Sequence, residues 1–160
     1  MLTIVLRFAH VVFGALWVGM MAFQVFFLMP ALGDAGPDAG KVMAALAKRR
    51  IPVIMPIIAL IALVSGLWLF QRMSGGNMGA LMATPMGQAL AWSGAAALIA
   101  FVVGMVVMRP AMMKSMQLAQ SLGPSAPEVQ RLRARGVLLG KGVTILLLFA
   151  LAAMAVARYL

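Results

Sequence analysis

The sequence predicts an all-α integral membrane protein: a four-transmembrane-helix bundle with both termini on the outer side and two longer basic cytoplasmic loops. Three observations predict it. The 160 residues are 64% hydrophobic and 10% charged, with a mean hydropathy of +1.06, where a soluble domain carries about a quarter charged residues. Four apolar segments, roughly 4–29, 51–70, 88–108 and 137–157, reach or approach the ~20 residues a helix needs to cross ~30 Å of hydrocarbon. Ten of the thirteen basic residues fall on one side of those segments.

A hydrocarbon core offers backbone groups no water, so each segment must be a helix. Period-2 alternation is absent, which argues against a barrel. The length suits one compact membrane domain, 1–160, without an internal repeat. With no cysteine, disulfides, iron–sulfur clusters and thiolate metal sites are excluded.

The first helix, about 4–29, is too long for a cleaved leader and lacks a small-residue cleavage site, so it reads as retained. "GDAGPDAG" (33–40) is turn chemistry. Asp38 is placed to cap a short amphipathic helix, about 38–50. Pro52 and Pro56 fall in the first turns of the second span, 51–70, and should bend its start. The third span is about 88–108, and Arg109-Pro110 marks its exit from the bilayer. A second amphipathic helix follows, about 110–121, until "GPSAP" (123–127) breaks it. Pro127 and Glu128 suit a first helical turn. That last helix, about 127–158, exceeds the bilayer thickness at ~1.5 Å per residue, so its basic start should project.

Lys41, Lys48, Arg49 and Arg50 in one loop join Arg109, Lys114, Arg131, Arg133, Arg135 and Lys141 at the other; Arg7, Arg72 and Arg158 lie opposite. Basic residues stay cytoplasmic, which sets the orientation. The localisation expected is the bacterial inner membrane. Because the +10 charge is explained by topology and by attraction to anionic lipids, worth ~1 kcal/mol per residue near the surface, no nucleic-acid partner is expected.

Helices in lipid associate by close packing of small residues. Candidates at four-residue spacing are Ala15/Gly19, Ala62/Gly66, Ala96/Ala100/Gly104, Gly136/Gly140 and Ala153/Ala157.

Helix one also carries the polar groups. Arg7, His10, Gly14, Trp17, Met21 and Gln24 follow 3-4-3-4-3 spacing and share one helical stripe, which should face the bundle. In the structural reading, His10 and Gln24 hydrogen-bond across helices and Arg7 snorkels to the headgroups. In the cofactor reading, His10 ligates haem b or Cu(I), with Arg7, Trp17 and Gln24 beside it; a proton-handling role is a third. A single histidine excludes bis-histidine haem within one chain. Soft thioethers suit Cu(I), and Met78, Met82 and Met86, spaced by four in the outer loop, would align on a short helix as partners of His10. Their plain alternative is an interfacial segment resting its Met/Leu face in the membrane. No membrane-embedded acid pair, nucleophile–base set, phosphate loop or zinc motif occurs.

"His10-x3-Gly14-x2-Trp17-x-Gly19" in a four-helix protein resembles the first helix of small bacterial membrane proteins of the CopD-like group. That group includes copper-resistance D domains, HemJ-type protoporphyrinogen oxidases and uncharacterised four-helix members. The resemblance implies a histidine that meets haem, porphyrin or copper, carried here by His10 with Trp17 beside it. Met29-Pro30-Ala31-Leu32 keeps a proline at the end of helix one but lacks the arginine of HemJ-like proteins, and no second histidine exists. The function expected is that of a non-enzymatic accessory or scaffold protein. Its partners would be the bilayer and other membrane subunits, of a respiratory or photosynthetic complex, or further copies of itself. No bound cofactor is the preferred expectation, and haem- or copper-handling is the alternative.

Overall fold

The computed structural model describes residues 1–123 and 125–160, without the side chain of Pro37. Among the described residues every regular element is helical. Helix α1 runs Leu2–Asp34, a 3-10 turn follows at Gly36–Asp38, and α2 is Ala39–Lys48. Helix α3 is Ile51–Met73, α4 the single turn Met78–Met82, α5 Pro85–Leu122 and α6 Pro127–Ala157. Helices α1, α3, α5 and α6 are long and apolar enough to cross a membrane.

Two helices run past the prolines that sequence rules read as their ends. In α1 a π turn, Gln24–Leu28, precedes Pro30, and in α5 another, Val103–Met108, precedes Pro110. A proline ring collides with the carbonyl four residues back and offers no N–H. The wider π turn supplies the slack, so each helix continues beyond it. The expected break between the third span and the segment 110–121 is therefore absent, and α5 is one helix of 38 residues.

Other local expectations change too. Asp38 precedes α2 but makes no side-chain cap; the 3-10 turn leads straight into the helix, leaving Asp38 in helical dihedrals. Its carboxylate instead pairs with Lys41 at 2.6 Å. The reversal from α2 to α3 turns on Arg50 in the left-handed region, φ 59°. In the break before α6, Pro124 lies outside the described residues.

Helices α1 and α3 form one close pair, α5 and α6 another, and lighter α1–α6 and α3–α5 contacts close the ring. The shared core is built mostly from small residues, with Trp17, Met21 and Leu147 as its bulk. Trp17 meets Phe101 edge-on at 6.3 Å. Ala62, Ala96 and Ala100 face inward as the four-residue spacing suggests, and Gly140 is buried. A side chain at Gly140 would meet Val25 and Met108, one from each π turn. Ala15 and Gly19, by contrast, lie on the outside of the bundle. Small residues mark a face that can be approached closely, but the spacing does not say by what.

Candidate functional site

Three buried hydroxyls are satisfied by their own helices: Ser65 bonds to Ile61 O at 2.6 Å, Thr144 to Gly140 O at 2.8 Å, and Ser93 to Ala89 O. Such back-bonding satisfies the hydroxyl locally and takes no partner from another helix. His10 is different. Half-buried on α1, it reaches across to α3, where Nδ1 lies 2.8 Å from the carbonyl oxygen of Ala62. A carbonyl only accepts, so Nδ1 carries the proton, and in the neutral ring Nε2 keeps its lone pair. Ala62 O also receives the Ser65 hydroxyl at 3.1 Å.

The imidazole lies in a niche that glycine makes. A Cβ on Gly66 would fall 2.5 Å from His10 Cε1 and 2.7 Å from Nδ1, closer than packed atoms come. The site is therefore His10 against the Ala62–Ser65–Gly66 turn of α3. Ala62 and Gly66 stand out in the sequence as packing residues only; their role around His10 was hidden because one chain's periodicity does not pair helices. The neighbouring Ser65-Gly66, a hydroxyl beside a missing side chain, was the available signal.

The rest of the stripe is spread along the helix. Trp17 and Met21 are buried, Gly14 and Gln24 half-buried, and Arg7 exposed. Seven residues separate His10 from Trp17, an axial distance of ~10 Å, and Arg7 and Gln24 stand ~26 Å apart. The stripe is thus a ribbon through the bundle, with His10 its one bond across helices. Gln24 makes no side-chain hydrogen bond among the described residues, and Arg7 no ion pair.

Met78, Met82 and Met86 do not share a helix. α4 ends at Met82, and Thr84 starts α5 by accepting from Gly87 N–H at 3.0 Å. A side chain on Gly87 would run into the Leu81 carbonyl, so the corner is tight and Met86 belongs to the next helix. Met78 and Met82 are exposed and Met86 half-buried. Among the described residues no three His, Cys, Asp or Glu side chains gather as a metal site.

The second notable region is at the basic end. Beyond its π turn, α5 packs its last fourteen residues, Arg109–Leu122, against the start of α6. Val129 is fully buried there, and Ser115 is buried as well. Arg109, Lys114, Arg131, Arg133 and Arg135 are all exposed on this helical hairpin. Compared with protein-family models, curated proteins and solved structures, the chain matches none of them.

Proposed function

We propose that the chain is a non-enzymatic accessory or scaffold protein of the bacterial inner membrane, with both termini outside, docking a larger respiratory or photosynthetic complex from its cytoplasmic face. The observation that carries this reading is the basic hairpin. At ~1.5 Å per residue, the 38 residues of α5 make a rod far longer than the ~30 Å hydrocarbon core. A mere connection needs a few residues; here two helices, each longer than that core, pack together at the basic end, where Val129 is fully buried. A rigid, outward-pointing cationic surface suits an acidic protein partner, whose charges steer the encounter.

The experiment is purification in mild detergent with native mass analysis. A stoichiometric partner complex is expected, and reversing three charges together (Arg131→Glu, Arg133→Glu, Arg135→Glu) should release the partner while the bundle stays folded. A chain that runs alone, or a complex indifferent to the triple reversal, overturns the reading.

The second reading, cofactor handling as in the CopD-like resemblance, is favoured by one observation. Donation from Nδ1 to a backbone carbonyl is how metal-ligating imidazoles are usually oriented, leaving Nε2 for the metal. His10 would supply one ligand nitrogen to haem b or Cu(I), with a methionine or a second copy supplying another ligand. The same preparation decides it: haem absorbance or stoichiometric copper that His10→Ala removes would establish this reading instead.

A further inference from the structure

A shallow apolar groove lies along the exposed side of α1, over Val11, Ala15, Leu16, Gly19, Met20 and Phe23. It joins, through Val11 and Val12, a second depression bounded by Thr3, Arg7 and Phe8. The floor is the Ala15–Gly19 pair, and nothing lies within 4 Å of where a Cβ on Gly19 would sit. The head of the groove is charged. Arg7 has no ion pair among the described residues, and the chain's three acids, Asp34, Asp38 and Glu128, belong to the opposite, basic end.

We propose that this groove binds one anionic phospholipid, its phosphate on the Arg7 guanidinium and one acyl chain along Val11 to Phe23. The dimensions agree. Val11 to Phe23 rises ~18 Å, a little over half of the ~30 Å hydrocarbon core, which is the depth available to a chain from one leaflet. The chemistry agrees as well, because guanidinium presents a planar fork that binds phosphate oxygens in pairs. Thr3, one turn above Arg7, adds a hydroxyl to the same depression.

A second copy fits this surface poorly. Two copies crossing at Ala15 and Gly19 in one membrane would bring their Arg7 side chains to the same depth with no Asp or Glu side chain at that end. Like charges there repel, whereas a lipid phosphate supplies the missing anion.

The test places the full chain in phosphatidylcholine vesicles containing a little phosphatidylglycerol with a photoactivatable diazirine on its acyl chain, then maps the labelled peptides. Label is expected within residues 11–23, and Arg7→Gln should lower it about ten-fold, the worth of one charge-assisted hydrogen bond. Gly19→Leu, whose side chain points into open space, should displace it while Arg7 remains. Neutralising Arg131, Arg133 and Arg135 should leave this label unchanged and remove only label at the basic end. Equal labelling by a phosphatidylcholine analogue, or label unaffected by Arg7→Gln, overturns the proposal. So does a cross-linked protein occupying residues 11–23 in place of lipid.

Discussion

At Gly66 even one methyl group would stand 2.5 Å from His10 Cε1, so the smallest possible side chain forces the imidazole to shift in its niche. Overpacking of this kind costs ~1–3 kcal/mol, whereas a hydrogen bond between membrane helices averages ~0.6 kcal/mol. Gly66→Ala should therefore destabilise the bundle more than removal of the His10–Ala62 bond would by itself. The two changes should also couple: with the ring gone, the added methyl has room, and His10→Ala combined with Gly66→Ala should be more stable than Gly66→Ala alone. Unfolding in detergent of the four members of this cycle measures the coupling. Strict additivity would mean that the two residues do not share the niche. The sequence showed that His10, Trp17 and Met21 occupy one stripe, because 3-4 spacing is a property of a single helix. It could not show that Gly66 answers His10, because that match exists only once α1 lies against α3.

Among the elements, the four apolar spans were legible from length and hydropathy, while their ends were not. Pro30 and Pro110 read as stop signals, yet α1 and α5 pass both by widening into π turns first. Such a turn holds one extra residue, so restoring α pitch would rotate everything beyond it by ~100°. In α5 that rotation would turn the buried Ser115, and with it the whole 109–122 segment that packs on α6, about the helix axis. Alanine is the better helix former by ~3 kcal/mol, so propensity alone expects Pro110→Ala to stabilise. Register expects the reverse at the hairpin: slower amide exchange near residue 110, where an N–H is regained, and faster exchange over 127–136, where packing is lost. Slowed or unchanged exchange over 127–136 would show that the π turn does not set the register of the hairpin.

For the whole molecule, the arrangement of charge is as definite as the arrangement of helices. The two close pairs, α1 with α3 and α5 with α6, alternate in direction, so both termini and the corner around α4 share one end. Ten of thirteen bases and all three acids lie at the other. The proposed orientation rests on these bases, since moving each across a 100 mV potential costs ~2.3 kcal/mol. The chain has no native cysteine, which makes single-cysteine reporters clean. Ser125 lies between α5 and α6 at the basic end, and Ala80 lies in α4 at the opposite end; both are exposed. A membrane-impermeant maleimide added to spheroplasts should label Ala80→Cys at once and Ser125→Cys only after the membrane is opened. The reverse pattern would place the basic hairpin outside and remove the cytoplasmic docking surface with it. Labelling of both before opening would show two orientations in the same membrane.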